Sequence, residues 1–434
     1  MICLSIELSR EELKHYRIVA PQMAPLQFKF IEAVLQEAGY QVEIVPAVTK
    51  EMVDWALRYV NNDMCYPAHL AIGQVCYTAI RAAEAHPNEK VAIIITQTGG
   101  GCRASQYYGA IIKAMRDCGY GDVPVIPLSF VPIKGEKFNV LGIKLSQLIQ
   151  AAYGCILGDL LMVLGDHYRP YERQPGSVDT LIDQKVTELR TAKFSNMDKK
   201  VFMQRIDEIL DDFSQLSLAT PLGSKPRIGV VGEILLKYHP DGNNHLVKFI
   251  EENDCEAVVS PLVDFFLYCM TGPVFQSKRL GRSKLKAAGT RLMISFLEKY
   301  KQIVNQKLIQ HGLSDLIWPS IWELSAKIDD IIPPESSMGE GWLLPAEAVD
   351  AIQHGTRHIV IAQPFACLPN HQIGAGTAKT IQDKYPGAEV LSVDYDASAS
   401  TTNQQNRIKL LITAAKEDFA AQKSSTLTEG GEIN

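Results

Sequence analysis

Short apolar segments alternate with amphipathic helical patterns along most of the chain, and the alternation occurs in two separate stretches. In the first stretch, KVAIIITQ is followed by a short loop, a helical pattern and the apolar segment VPVIPLSF. In the second stretch, RHIVIAQPFAC is followed by a helical pattern and AEVLSVDYD. Continuous apolar strands separated by helices are typical of parallel sheets that helices cover on both faces. The chain is therefore predicted to have an α/β fold with two similar Rossmann-like parallel-sheet domains.

The length of the chain favours more than one domain, because 434 residues are too many for one ordinary core. We expect a first α/β domain over residues 1–145, a helical connector over 146–225 and a second α/β domain over 226–434, with a cleft between the two domains. A basic, amphipathic helical insert is expected at about residues 276–330. Such a pattern is typical of a solvated helix pair and also of a surface that docks a partner.

Charge and cysteine content restrict the class of protein. The formal net charge of −6 gives no electrostatic reason to expect nucleic acid or an anionic membrane as a partner. The first residues lack the features of a secretory signal, and we expect no apolar segment long enough to span a bilayer.

The nine cysteines include no CxxC pair, which argues against a disulfide framework and a zinc ribbon. A cytoplasmic protein is therefore expected, with four cysteines in apolar or helical contexts buried as small hydrophobes: Cys3, Cys76, Cys118 and Cys155.

Three other cysteines lie in loops where functional groups are often displayed. Cys102 follows the first apolar strand, Cys367 follows the matching strand of the second stretch, and Cys65 lies in the polar loop NNDMCYPAH. Ligands of parallel α/β sheets bind beyond the carboxyl ends of the strands, so we expect the three thiols to converge across the cleft. Three consecutive glycines precede Cys102: Gly99, Gly100 and Gly101.

Three converging thiols suit either zinc or an iron–sulfur cluster. Structural zinc usually takes four ligands from tight pairs, and that spacing is missing, whereas clusters are held by thiolates. The three glycines would let the backbone approach a cluster and donate N–H groups to it. The competing interpretation is a phosphate-binding loop, but the segment lacks GxGxxG spacing and a following Lys-Ser/Thr. Three protein ligands on a four-iron cluster would leave one iron open to a substrate.

Long stretches of the chain resemble the C-terminal half of large acyl-CoA dehydratase activases: YVNNDMCYPAHLAIGQV, ITQTGGGCRASQYYG, RIGVVGEILLKYHPDGNNHLVKFIEE, GEGWLLPAEAV and IAQPFACLPNHQIGAGTAKTIQDKYPGAEVLSVDYDASASTTNQQNRIKLLI. That region is related to the cluster-bearing subunits of 2-hydroxyacyl-CoA dehydratases, and more distantly to benzoyl-CoA reductase subunits and double-cubane cluster proteins. The resemblance implies that Cys65, Cys102 and Cys367 hold a 4Fe-4S cluster or a double-cubane 8Fe-9S cluster.

The resemblance also implies a function and partners. The sequence does not include the N-terminal ATPase domain of those activases, so a separate ATP-hydrolysing iron–sulfur activase is expected to supply low-potential electrons. The chain would then reduce a small-molecule or acyl-CoA substrate near the open iron, as the dehydratases reduce a 2-hydroxyacyl-CoA to a ketyl radical. The alternative is a non-catalytic electron relay or scaffold for another reductase or dehydratase. A homodimer of this chain is left open.

Five further residues are candidates, four of them with a structural alternative. Asn370 and His371 are expected either to donate hydrogen bonds or a proton near the cluster, or to cap the helix that starts at about His371. Glu233, at the end of a predicted strand, is expected to be exposed at the cleft edge as a catalytic carboxylate. Glu340 either approaches a substrate or opens a helix after a glycine turn. Cys269 is either an additional ligand or, as its apolar neighbours favour, a core residue.

Overall fold

The computed structural model describes residues 8–97, 101–129 and 141–429, and these residues form an α/β fold with two four-stranded parallel sheets. The first sheet contains β1 (Tyr16–Ala20), β2 (Gln41–Ile44), β3 (Lys90–Gln97) and β4 (Val125–Ser129). The second contains β5 (Arg227–Gly232), β6 (Glu256–Val259), β7 (His358–Pro364) and β8 (Glu389–Tyr395). The strand orders are β2-β1-β3-β4 and β6-β5-β7-β8, with every pair parallel. The predicted fold class, with two similar parallel sheets, is confirmed.

The helices of the first half and of the middle of the chain follow the predicted alternation. Those of the first half are α1 (Arg10–Leu13), α2 (Pro25–Glu37), α3 (Lys50–Tyr59), α4 (Tyr66–Ala85), a 3-10 turn (Arg103–Gln106) and α5 (Tyr107–Asp117). The middle contains α6 (Leu145–Tyr168), a 3-10 turn (Arg169–Tyr171), α7 (Ser177–Ala192), a 3-10 turn (Phe194–Asn196) and α8 (Lys199–Ser214).

The second half adds long helices to the same plan. They are α9 (Ile234–Tyr238), α10 (Leu246–Glu252), α11 (Leu262–Leu280), α12 (Lys284–Gln310), a 3-10 turn (Ser314–Leu316), α13 (Ile321–Ala326), α14 (Leu343–Gln353), a π-helical turn (Asn370–Ala375), α15 (Gly376–Lys384) and α16 (Thr401–Glu429). In the region of the predicted insert, Leu285 and Leu292 of α12 are exposed among basic residues.

The apolar run of β3 is explained by burial on both faces of its sheet. Ile93 and Ile95 face a large core that includes residues of both halves, whereas Ala92 and Ile94 face a smaller cluster on the opposite side. Successive side chains of a strand point to opposite faces, so the five central positions of this strand, residues 91–95, are all apolar.

Helix α6 contradicts one expectation from the sequence. Together with the turn that follows it (Leu145–Tyr171, 27 residues, mean hydropathy 1.7), it is long and apolar enough to cross a membrane by length and composition. However, 61% of its apolar window is buried inside the protein. A Cβ at Gly158 would lie 2.9 Å from the Cα of Gln27, so α2 packs directly on this helix. The apolar composition of α6 is accounted for by its packing in the core.

Asp159 of α6 connects the two halves of the molecule. Its carboxylate accepts a hydrogen bond from Gln27 Nε2 of α2 at 2.7 Å. It also accepts from the backbone N–H groups of Leu262 and Val263, both at 2.9 Å, at the start of α11. The residue is fully buried, so these bonds are shielded from water.

In each sheet, the carboxyl ends of two neighbouring strands lie side by side: β1 and β3 in the first sheet, β5 and β7 in the second. In each sheet the order reverses between the first and third strands in sequence, which is where α/β folds bind ligands. Cys102 follows β3, Cys367 follows β7, and Glu233 directly follows β5. The candidate residues therefore lie at the reversal points of the two sheets.

Candidate functional site

The loops that carry the three predicted cysteine ligands contact one another. The Arg103 guanidinium, next to Cys102, donates to the Asp63 carbonyl in the Cys65 loop. The Tyr66 N–H donates to the Phe365 carbonyl at 3.2 Å, which joins the Cys65 loop to the Cys367 loop. The structure therefore brings together three loops that are far apart in sequence.

Each of the three cysteines precedes a helical segment. Cys65 precedes α4, Cys102 precedes the 3-10 turn before α5, and Cys367 lies three residues before the π-helical turn. The polar loop predicted at NNDMCYPAH is shorter than expected, because α4 already begins at Tyr66 and proline is tolerated in a first helical turn. Backbone N–H groups at helix starts favour negative charge, which suits thiolates.

Each cysteine sulfur also has one hydrogen-bonding neighbour. The Tyr107 hydroxyl lies 3.3 Å from Cys65 Sγ, and the Ala104 N–H donates to Cys102 Sγ at 3.4 Å. Asn370 Nδ2 donates to Cys367 Sγ at 3.3 Å and makes no cap of the following turn. Of the two roles expected for Asn370, the structure therefore shows a donor beside a candidate ligand. Hydrogen bonds to ligand sulfurs are among the features that set the potential of an iron–sulfur cluster.

Burial keeps the three thiols protonated in the protein without a metal. Cys65 and Cys367 are buried and Cys102 is partly buried. Burial, and then the charge of Glu340, raises the pKa of Cys102 to about 12. Burial likewise raises the pKa of Cys65 and of Cys367. Thiols of this kind become thiolates when a metal binds and displaces their protons.

Glu233 is not exposed, contrary to the expectation from its position. Its side chain turns back to accept a hydrogen bond from the Leu236 N–H at 3.0 Å and caps α9. Glu340 accepts from the Ile234 N–H at 3.1 Å, and its other oxygen lies 3.4 Å from Asn370 Nδ2. Burial, and then the charge of Glu340, raises the pKa of Glu233, and burial raises the pKa of Glu340. Two buried carboxyl groups therefore lie at one helix start, next to a residue that contacts Cys367.

His371 lies close to the site along the chain, but it is exposed. Its Nδ1 is 2.9 Å from Gln363 Nε2, and the same amide donates to Asp394 Oδ1 at 2.6 Å. The helix that was expected to start at about His371 begins as a π-helical turn at Asn370. The imidazole is thus positioned by Gln363 at the rim of the site.

The segment Met338–Gly341, which we call the central loop, contacts the other parts of the site through Met338 and its two glycines. A Cβ at Gly101 would lie 2.6 Å from Met338 Sδ, so Met338 packs directly against this glycine. A Cβ at Gly339 (φ +55°) would lie 2.7 Å from Pro369, near Cys367. Gly341 (φ +42°) lies directly against the Tyr268 hydroxyl of α11. The remaining predicted glycines, Gly99 and Gly100, lie outside the described residues.

An unpartnered hydroxyl supports the fit of a sulfur-rich group at this site. The Tyr268 hydroxyl is buried and has no hydrogen-bond partner among the described residues. Burial, and then the charges of Cys269, Glu340 and Cys102, raises the pKa of this hydroxyl. Its O–H remains available to donate to an acceptor bound beside Gly341 of the central loop. Sequence reasoning missed Tyr107 and Tyr268, because nothing in their local patterns distinguishes them from core tyrosines.

Two searches of this chain found no match. It matches no protein-family model and no curated protein. Among the described residues, no group of three or more His, Cys, Asp or Glu side chains is arranged to hold a single metal ion.

Proposed function

We propose that Cys65, Cys102 and Cys367 hold an iron–sulfur cluster, most simply a 4Fe-4S cluster, between the two halves of the chain. The observation that carries this proposal is the mutual contact of three cysteine-bearing loops, each with a hydrogen-bonding group at its sulfur. Thiolates are the usual ligands of such clusters. The resemblance of the surrounding motifs to dehydratase activases supports the same ligand set.

The chain is proposed to accept low-potential electrons from a separate ATP-hydrolysing activase and to reduce a small-molecule or acyl-CoA substrate. When bound, the cluster supplies one-electron transfer at low potential. Burial of Cys65 and Cys367 excludes water from their sulfurs, whereas Cys102 is partly accessible. A substrate is therefore expected to approach from the Cys102 side.

The two buried carboxyl groups are the proposed source of protons. Glu233 and Glu340 have raised pKa values because they are buried, and the charge of Glu340 further raises that of Glu233. Two such neighbouring groups retain a shared proton at a higher pH than either alone. The Asn370 amide lies between Glu340 and Cys367, so the proton is held next to the thiol site.

The test is the iron and acid-labile sulfide content of anaerobically purified protein, with a low-temperature EPR spectrum after reduction. Wild type is expected to contain about four irons per chain and Cys102→Ala less than about one. Cys118→Ala is the matched control, since Cys118 bonds to the Met115 carbonyl at the end of α5. No iron and no sulfide in wild type, even after anaerobic reconstitution, would exclude the proposal.

The second candidate function is a non-catalytic electron relay or scaffold. A relay needs no open iron, whereas reduction of a bound substrate does. The burial of Cys65 and Cys367, two of the three proposed ligands, is the observation that favours the relay.

A further inference from the structure

The end of α11 and the first half of α12 carry a local excess of positive charge. Between residues 277 and 297 the sequence contains no Asp or Glu and six basic residues: Lys278, Arg279, Arg282, Lys284, Lys286 and Arg291. All six are exposed, and among the described residues only Arg279 forms an ion pair, with Glu335 at 3.4 Å. The net charge of −6 for the whole chain therefore conceals a cationic surface.

The first half of α12 also presents an apolar stripe to open space. Leu285, Gly289, Leu292 and Phe296 are spaced by four, three and four residues, which places them on one face of the helix. Leu285 is 85% exposed, Leu292 is 74% exposed and Phe296 is 40% exposed. A Cβ at Gly289 would meet no atom of the described residues within 4 Å, so nothing in the described chain covers this face.

The buried side of α12 lies opposite the stripe. Ala287 and Ile294 are buried, and they follow Leu285 and Leu292 by two residues, which is about 200° around a helix. Residues 281–286 are all exposed, so this end of the helix projects from the protein. The stripe is therefore not a core-facing surface. Exposed apolar surface with a polar rim is typical of a binding site.

Cations border the stripe on both sides. Lys284 and Lys286 lie about 100° to either side of Leu285 around the helix. Arg291 lies about 100° to one side of Leu292, and its guanidinium is 5.3 Å from the centroid of the Trp322 ring. Basic side chains in such positions place their apolar stems beside a buried stripe and extend their charges to an anionic boundary.

We propose that this surface, formed by the stripe and its bordering cations, binds an anionic phospholipid bilayer with α12 parallel to the membrane plane. The cations are complementary to the headgroup phosphates, and the leucines reach the acyl boundary. A bilayer accepts a projecting helix directly, whereas a protein partner would need a matching groove. A second copy in a symmetric pair would bring the same cations together. The inference is independent of the proposed cluster.

The test is cosedimentation of the protein with vesicles of equal parts phosphatidylglycerol and phosphatidylcholine, and with vesicles of phosphatidylcholine alone. We expect wild type to bind the anionic vesicles at least about tenfold more tightly than the neutral ones, with a difference that shrinks as salt screens the charges. Leu285→Ser/Leu292→Ser and Lys284→Gln/Lys286→Gln are each expected to weaken binding to the anionic vesicles at least about tenfold.

The matched controls change exposed residues elsewhere on the protein. Leu410 is 73% exposed on α16, and Leu410→Ser should bind the anionic vesicles like wild type. Lys248 and Lys379 are exposed on other helices, and Lys248→Gln/Lys379→Gln removes two charges outside the proposed surface. This variant should also bind like wild type.

Failure of wild type to bind the anionic vesicles would overturn the proposal, as would equal binding by wild type and both variants of the proposed surface. Binding of poly-L-glutamate through the same residues, without vesicle binding, would overturn it in favour of an acidic protein partner. Self-association that Leu285→Ser/Leu292→Ser abolishes in analytical ultracentrifugation, without vesicle binding, would overturn it in favour of a second copy. None of these measurements depends on iron, so absence of the cluster would leave them decisive.

Discussion

The two halves of the molecule share a strand order but differ in the groups at their reversal points. Each places a cysteine after its third strand in sequence, Cys102 after β3 and Cys367 after β7. After the first strand, however, the first half has the neutral Gln22, whose N–H donates to Gln74 at 2.8 Å. The second half instead has Glu233, the residue directly after its first strand, β5.

This difference indicates that cluster binding and proton supply depend on different parts of the molecule. The common framework positions a thiol from each half, because the carboxyl end of the third strand in sequence is equivalent in both sheets. Both buried carboxyl groups, Glu233 and Glu340, come from the second half. We therefore expect cluster binding to depend equally on both halves and proton supply to depend on the second.

The largest expected effect tests whether both halves are needed equally for cluster binding. Cys367→Ala should reduce the iron content from about four per chain to less than about one, as fully as Cys102→Ala, because each removes one ligand of the same cluster. Iron and sulfide analysis of the two variants side by side measures this. Retention of iron in one variant alone would show that only one half binds the cofactor.

A second prediction concerns the connection between the halves. Asp159→Ala should lower the free energy of unfolding by about 3 kcal/mol, because it removes the buried hydrogen bonds from Gln27, Leu262 and Val263 and leaves the two backbone donors unpaired. Urea denaturation of the metal-free protein measures the change. The control is Asp383→Ala, an exposed residue paired with Lys379, which should cost less than about 0.5 kcal/mol. Equal losses would mean that Asp159 does not join the halves.

A smaller effect is expected from the side-chain amide that hydrogen-bonds to the cysteine of the second half. Asn370→Ala removes the hydrogen bond to Cys367 Sγ, whereas the donor to Cys102 is a backbone N–H. Such bonds favour the reduced, more negative cluster, so the reduction potential should fall by up to about 40 mV for a bond worth about 1 kcal/mol. Redox titration followed by EPR measures the potential, with the exposed Asn403→Ala as control. An unchanged potential in Asn370→Ala would argue against contact with a ligand.

The smallest effect concerns one buried histidine from each half. His69 and His239 have ring nitrogens with no hydrogen-bond partner among the described residues; the Asn61 backbone lies near His69 without hydrogen-bond geometry. Burial lowers the pKa of both from the ordinary 6.5, against the opposing charges of Asp396 and Asp241. Because their pKa is lower in the folded state, the two histidines contribute their full stabilisation above pH 6.5. This contribution is lost as the pH falls below that value.

The substitutions His69→Leu and His239→Leu should therefore reduce the loss of stability on acidification. Thermal unfolding of the metal-free protein at pH 6.5 and below measures this loss of stability. His354→Leu serves as the control, because His354 is exposed and should leave the pH dependence unchanged. A pH dependence as steep as that of wild type in both variants would contradict the assignment.

Much of the fold follows from local patterns. The strands and most helices are readable because the apolar periodicity of each segment is a property of a few neighbouring residues. The convergence of the cysteine loops follows from a topological rule applied to two equivalent strands, β3 and β7.

The features that the sequence does not reveal depend on contacts between distant segments. The burial of Glu233 depends on Glu340 bonding to the N–H of Ile234, over a hundred residues away. Cys269 has apolar neighbours typical of a core residue, but it is exposed, so the expectation that it belongs to the core is wrong. Helix α6 passes the criteria for a membrane span because core burial selects the same composition.

The most direct test of the central claim is anomalous diffraction at the iron absorption edge from crystals grown without oxygen. We predict a strong anomalous peak enclosed by the sulfur atoms of Cys65, Cys102 and Cys367, between the two halves of the chain. Crystals of iron-containing protein with no peak there, or with a peak elsewhere, would contradict the account.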